Sequence, residues 1–452
     1  MSSVGPTALA DLDEFGGQAE LLKPYVPRFL IEWLRESPQT TYRTVEGSLA
    51  FVDISGFTAL TEHLARRGKI GAEVLRDTLD GVFRALLDEA YDWGAGLLKW
   101  GGDALLLLYD GDGHEARAAR AAWEMQRTLE RVGRLGAAGG GVTLRMSIGI
   151  ATGELEFFTA GSVHRELLLV GPVATETVTI EARANAGEIG LGATLARRLD
   201  PRCVSAANAG ALLVGPPDAE RGRAPNVGPV RGADVAACIP IAARAHVLLA
   251  RSEPEHRTIT VAFVDLMDTD LLLARLGPGA FAEALDERIS AIQEAALRYE
   301  VPFNGSDVSK GSVKVILTAG APSGTGHDEE QMLRALREVL DRPGAIPLRA
   351  GVNTGRVFTG DFGPPYRRTY VVLGDAINTA ARVMGRAEAG QILSTEIVLE
   401  RSRALFATTP IEPFQAKGKA ELVRASIVGP LAGRRVERAA ETRLVGRDAE
   451  LA

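Results

Sequence analysis

Only two cysteines, Cys203 and Cys238, occur in 452 residues. Two thiols cannot build a metal cage or a disulfide framework, and they read as ordinary thiols of a reducing cytoplasm. No apolar run approaches the ~18 to 20 residues of a membrane span. The N-terminus lacks a basic start followed by an apolar core, so no secretory signal is evident. A basic surplus is missing too: 51 Lys and Arg against 58 Asp and Glu leave a net charge of −7. That balance argues against a nucleic-acid-binding chain, which needs a basic face. What is present, 46% apolar and 24% charged residues, is ordinary for a globular chain, long enough here for two or three domains.

The organising stretch is Phe51-Val52-Asp53-Ile54-Ser55-Gly56-Phe57-Thr58. An apolar run ending at Val52 reads as a buried strand, followed by a carboxylate, a Gly-containing turn and a helix. A carboxylate at the end of a strand, facing free backbone amides, suits a cation that carries phosphates. The plain alternative is an Asp that caps the next helix. A second stretch, Lys99-Trp100-Gly101-Gly102-Asp103 followed by Ala104 to Leu108, reads as strand, tight turn, strand, with Asp103 at or beside the tip. If that hairpin lies beside the strand ending at Asp53, two carboxylates converge and can hold Mg²⁺. Alone, Gly-Gly-Asp is a common hairpin turn.

The chain then repeats itself, a feature that governs the fold assignment. Phe263-Val264-Asp265 matches Phe51-Val52-Asp53, Gly351-Val352-Asn353-Thr354-Gly355 matches Gly149-Ile150-Ala151-Thr152-Gly153, and Val371-Val372-Leu373-Gly374 matches Leu168-Leu169-Val170-Gly171. Residues 1–45 read as a lead-in strap broken by Pro24 and Pro27. Residues 46–200 read as the first domain, 201–256 as a linker or excursion with some strand near 237–243, and 257–430 as the second domain. The copies diverge unequally. The first has Asp53 and Asp103. The second keeps Asp265, but Val308 falls where Asp103 would be, with Asp307 one residue off. The second instead offers Asn378 and Arg382, four apart on one helix face, where the first has Thr175 and Thr179. One interface thus receives two carboxylates from one copy and Asn plus Arg from the other.

These residues together resemble the class III nucleotidyl cyclases, as a tandem pair of catalytic domains in the manner of soluble adenylyl cyclase. The resemblance covers about residues 46–200 and 257–430. It implies an α/β fold with two ferredoxin-like domains packed head to tail in one chain, an expected monomer. It implies conversion of ATP to cyclic AMP and pyrophosphate with two divalent cations, Mg²⁺ or Mn²⁺. The metal ligands would be Asp53, Asp103 and the carbonyl of Ile54. Asn378 would orient the ribose and Arg382 would stabilise the transition state. Lys99 would read adenine, while Phe57, Thr58, Val371 and Lys417 would face the substrate.

Three departures accompany the resemblance. Val371 stands where the family has Asp or Thr facing the adenine amino group, so selectivity for ATP is loosened. Ser147 replaces a basic phosphate-binding residue, for which Arg145 and Lys417 are the expected substitutes. The basic pair of bicarbonate-responsive members falls on Asn304 and Val178, so no such bicarbonate site is expected, and Asp265 with Arg349 is expected to leave a remnant pocket. Residues 431–452 resemble the opening of an NTPase module and read as its truncated start or a tail. A second reading follows: a weakly catalytic nucleotide-binding module controlling a missing NTPase part. A diguanylate cyclase ranks third, because Ala104 stands where an acidic residue should follow Gly-Gly-Asp.

Overall fold

The computed structural model describes residues 18–65, 68–135, 141–207, 210–222, 231–249, 254–415 and 421–435. The Lys417 stretch and residues 436–452, where the NTPase-like opening falls, lie outside the described residues.

The first sheet is built from β1 (Tyr42–Ser55), β2 (Gly96–Trp100), β3 (Ala104–Asp110), β4 (Arg145–Ala160), β5 (Glu166–Val170), β6 (Ile189–Leu191), β7 (Val204–Ala207) and β8 (Gly210–Leu213). Its order is β2-β3-β1-β4-β6-β8-β7, with β5 paired to β4. The second contains β9 (Glu255–Leu266), β10 (Phe303–Ser309), β11 (Ser312–Ala319), β12 (Leu348–Phe362), β13 (Thr369–Leu373), β14 (Ile392–Thr395), β15 (Ala404–Pro410) and, beyond the two-stranded sheet of β16 (Phe414–Gln415) and β17 (Leu422–Val423), β18 (Ala425–Arg434). Its order is β10-β11-β9-β12-β14-β18-β15, with β13 paired to β12. Strand for strand, the order is that of the first sheet. The expected α/β architecture with two similar sheet-rich halves is therefore observed.

Each sheet packs helices against one face. Val52 and Ile54 of β1 sit in a core with Leu79 and Phe83 of helix Gly68–Asp92 and with Ala118, Ala122, Met125 and Leu129 of helix His114–Val132. That last set recurs at helical spacing, so it forms one apolar stripe. In the second half Val264 packs likewise on helices Thr269–Arg298 and Asp328–Asp341. The halves also exchange parts. Phe358, Phe362, Val371 and Leu373 of β12 and β13 enter the first core, while Phe158, Ala160, Leu168 and Val170 of β4 and β5 enter the second. This reciprocal burial is the head-to-tail arrangement that two copies of one fold allow.

Two glycines show how deep the repeat runs. A Cβ at Gly149 would lie 2.4 Å from the Glu181 nitrogen, and one at Gly351 would lie 2.0 Å from the Met384 nitrogen. Both face the same position across the sheet, Phe51 and Phe263. Each lets a helix press its backbone onto the strand: Pro172–Glu181 in the first half, Asp375–Met384 in the second.

Gly153 continues the β4 ladder opposite Gly47, so β4 runs unbroken. The structure differs from the sequence reading in two local respects. The 201–256 stretch supplies β7 and β8 to the first sheet. Where strand was expected near 237–243 there are helices, Gly232–Ala236 and Ile241–Leu248; their Val235 and Val247, with Ile239 between them, cover the outer face of the first sheet. The lead-in is broken at its prolines as expected, into Ala19–Leu22, a 3₁₀ turn and Arg28–Glu36. Phe29 and Trp33 pack on that same outer face. No helix among the described residues is long and apolar enough to cross a membrane.

Candidate active site

The end of β1 and the β2–β3 turn meet. Asp53 stands directly opposite Ala104, and the Ile54 amide donates to the Asp103 carbonyl at 3.1 Å. The Gly101 amide closes the turn on the Ala104 carbonyl at 2.9 Å, and Trp100 Nε1 donates to the Gly102 carbonyl at 3.2 Å. Gly102 has φ of +78°, a conformation that favours glycine. The two carboxylates of the sequence motifs are therefore neighbours, brought together by strand pairing alone.

Their electrostatics fit a cation. Burial, then the charge of Asp53, pushes the Asp103 carboxyl up to about 7, with Asp307 and Glu181 adding to the effect. Two half-buried carboxylates that repel each other suit a divalent cation. Among the described residues no cluster of three or more His, Cys, Asp and Glu is placed to hold a metal. An ion here would take oxygen from Asp53, Asp103 and the backbone, and the rest from water or phosphate, as Mg²⁺ does.

Asp103 opens onto a cleft of about 470 Å³ between the halves. The first half contributes Phe57, Trp100, Gly101 and Gly102; the second contributes Phe263, Ile316, Lys314, Val371 and Asn378. Phe57 is buried, stacked on Phe83 at 5.6 Å, which in turn meets the Trp100 ring edge-on at 4.7 Å. Asn378 is exposed on helix Asp375–Met384, whose Ala376, Ala380 and Val383 face inward. Arg382 follows one turn later, half-buried and not itself lining the cleft. It has no hydrogen bond or ion pair among the described residues. One member of each set read from the repeat, Asp103 and Asn378, therefore lines this cleft.

The comparisons with known proteins agree with this geometry. A family model described as "Adenylate and Guanylate cyclase catalytic domain" matches residues 330–428. The chain is 32% identical over 139 residues to adenylate cyclase type 10 of Oryctolagus cuniculus, a match covering 30% of this chain and 9% of that protein. To the Homo sapiens adenylate cyclase type 10 it is 27% identical over 158 residues, 32% of this chain and 9% of that one. Among solved structures, a class III adenylyl cyclase-like ATP-binding protein from Pseudomonas aeruginosa superposes with TM-score 0.58 at 13% identity, over 89% of this chain and 94% of that one. Residues 330–428 thus match the catalytic domain of adenylate and guanylate cyclases, and the chain has the fold of a class III adenylyl cyclase-like protein. It matches less than a tenth of the length of the curated cyclases named here.

Several expected site residues stand elsewhere than the motifs suggested. Lys99 does not line the cleft. Its ammonium lies 2.5 Å from Glu166 Oε1 and donates to Ser306 Oγ at 2.7 Å, in a network completed by His164 3.4 Å from Glu166. Burial alone would raise the Glu166 carboxyl; Lys99 and His164 overcome that and hold it at about 2. A bulge explains the placement. Pairing of β2 with β3 shifts between Leu97 and Lys99, and β10 with β11 shifts at the matching place, between Phe303 and Gly305. Counted across the ladders, Lys99 corresponds to Gly305, and Asn304 occupies a bulge and lines the main cleft rather than the second interface. Val371 lines the cleft as expected and is buried. The Thr58 side chain lies outside the described residues, as does Lys417.

Across the ladder from Asp53, Ser147 donates to Glu181 Oε1 at 2.8 Å. Arg145, at the start of β4, is exposed.

The second interface keeps a separate cleft of about 400 Å³, with Thr175, Thr179 and Asp270 in its wall, and neither Asp265 nor Arg349 lines it. Asp53 opposes Ala104, while its counterpart Asp265 opposes Lys314, so Val313, not Val308, takes the place of Asp103. The β10–β11 hairpin is longer than β2–β3, which a comparison of linear sequence does not register. Asp265 is 1% exposed and ion-paired with Arg349 at 2.7 Å, so the expected remnant pair is spent on itself. Thr175 donates to Asp270 at 2.6 Å and accepts from the Gly311 amide at 2.8 Å. Sequence reasoning missed Lys314 and Asp307 as cleft residues; only the strand register reveals them.

Proposed function

We propose that this cyclase converts ATP to cyclic AMP and pyrophosphate at the cleft between its halves. The observation that carries the reading is the convergence of Asp103, beside Asp53, with Asn378 from the opposite half. Asp53, Asp103 and the Ile54 carbonyl would hold two divalent cations, which supply charge for the triphosphate and acidity for the ribose 3′-hydroxyl. Asn378 orients the ribose. The 3′-hydroxyl gives its proton to solvent, its oxygen forms a bond to the α-phosphorus as the bond to the α–β bridging oxygen breaks, and pyrophosphate leaves with the electron pair. Arg382, without a protein partner among the described residues, supplies a cation for the charge that develops there. The purine lies against the apolar wall of Phe263, Ile316 and Val371.

A second reading, nucleotide binding with little turnover, is favoured by Ser147. Its hydroxyl is committed to Glu181, so this position offers no cation to the triphosphate. The test is cyclic product formation from ATP and GTP with Mg²⁺ or Mn²⁺, by the parent and by Asp103→Ala. Cyclic AMP from the parent alone supports the cyclase reading. ATP binding without product from either selects the second.

A further inference from the structure

A further cavity, of about 270 Å³, shares no lining residue with the main cleft. Three parts of the chain close around it. They are the turn between β4 and β5, helix Ile241–Leu248 of the 201–256 stretch, and the end of helix Thr269–Arg298 with the start of β10. Much of its wall is apolar, with Ala242, Ala245, Ala296, Leu297 and Phe303. The alanines leave the space open, since each offers only a methyl where a longer side chain would fill it.

One buried polar side chain reaches this wall. His164 is 1% exposed and lines the cavity, with its ring edge-on to Phe303 at 4.7 Å. The turn that carries it is pinned. Gln293 Oε1 accepts from the Val163 and His164 amides at 2.9 and 3.3 Å, and Gln293 Nε2 donates to the His164 carbonyl at 2.9 Å. The ring Nε2 lies 3.4 Å from Glu166 Oε2 and 3.3 Å from Gln293 Nε2. A carboxylate only accepts, which keeps the ring proton on Nε2. With Lys99 already balancing the Glu166 charge, a neutral ring leaves Nδ1 as an acceptor, and Nδ1 has no donor among the described residues. A buried acceptor without a donor carries a free-energy penalty that a ligand can relieve. Glu300 also lines the cavity and Glu166 stands behind His164, so the field there disfavours an anion.

We propose that this cavity binds a small neutral molecule with an apolar body and one hydroxyl or N–H, of the class of an alkylphenol, which donates to His164 Nδ1. The apolar body lies against the alanines, Leu297 and Phe303.

The probes are 4-propylphenol, 4-propylanisole and 4-propylbenzoate, titrated by calorimetry into the full chain, His164→Phe and Ala242→Leu, with circular dichroism checking each fold. In the parent the phenol should bind about fivefold tighter than its methyl ether, or more, as one hydrogen bond to a buried acceptor gives, and the benzoate should bind most weakly. His164→Phe should erase the preference for phenol over ether. Ala242→Leu fills the cavity and leaves Nδ1 in place, so it should weaken phenol and ether alike, by about tenfold or more. If His164→Phe does not fold, the phenol-to-ether ratio in the parent and the loss in Ala242→Leu decide the matter. Equal affinity for phenol and ether in the parent would overturn the role of Nδ1 and the proposal with it. Unchanged binding in a folded Ala242→Leu would place the probes elsewhere, the main cleft included, and overturn the site. So would a parent that binds no phenol at millimolar concentration.

Discussion

Replacing Lys99 by methionine separates its two roles, base reader and interdomain bolt. Methionine keeps most of the length and apolar stem while removing the ammonium. Glu166 would then stay buried, with Ser306 and His164 as its remaining partners. Its carboxyl is held at about 2 against 4.5 for an ordinary glutamate, a difference worth about 3 kcal/mol at neutral pH. Breaking one side of a buried pair costs about 3 to 5 kcal/mol. Since the other donors remain, the lower end applies, and about 3 kcal/mol is expected. The sign follows from a folded value below the unfolded one. The contribution is present above pH 4.5 and is lost as pH falls toward 2, so parent and variant should converge in acid. Urea unfolding at neutral pH and in acid measures this, and Glu166→Gln in a double-mutant cycle assigns it to the pair. An unfolding midpoint equal to that of the parent, with ATP affinity down tenfold, would refute the bolt and restore Lys99 as the adenine reader.

Three further outcomes are expected. Arg382→Ala should lower the rate of cyclic product formation by about 100- to 1000-fold with nucleotide affinity unchanged; an equal loss of affinity would place Arg382 in ground-state binding. Asp103, held above its ordinary value of 3.8 at about 7 by burial and Asp53, stabilises the metal-free fold at low pH, and that contribution is lost as pH rises through 7. Mg²⁺ or Mn²⁺ should therefore raise the melting temperature more above pH 7 than below it, and the extra effect should vanish in Asp103→Ala. Gly351→Ala and Gly149→Ala, each forcing a Cβ onto helix backbone, should both destabilise by about 3 kcal/mol. At a temperature where both are folded, product formation should fall further in Gly351→Ala, whose helix carries Asn378.

The sequence by itself determined the parts whose chemistry is local. The doubled motifs announce two copies of one fold, because each copy must bury the same strand and turn. Asp53 lies near the end of one strand and Asp103 in the glycine turn of a hairpin, so their convergence needs only that the hairpin pair with that strand. Asn378 and Arg382 share a helix face by periodicity alone. What tertiary structure decided lies where register and long-range partners intervene. A single bulge before Lys99 turns its side chain toward Glu166 and Ser306, 67 and 207 residues away. The longer second hairpin moves the counterpart of Asp103 to Val313 and brings Lys314 into the cleft. A one-residue slip exchanges the two faces of a strand, and no motif records which face a hairpin presents until its partner strand is in place.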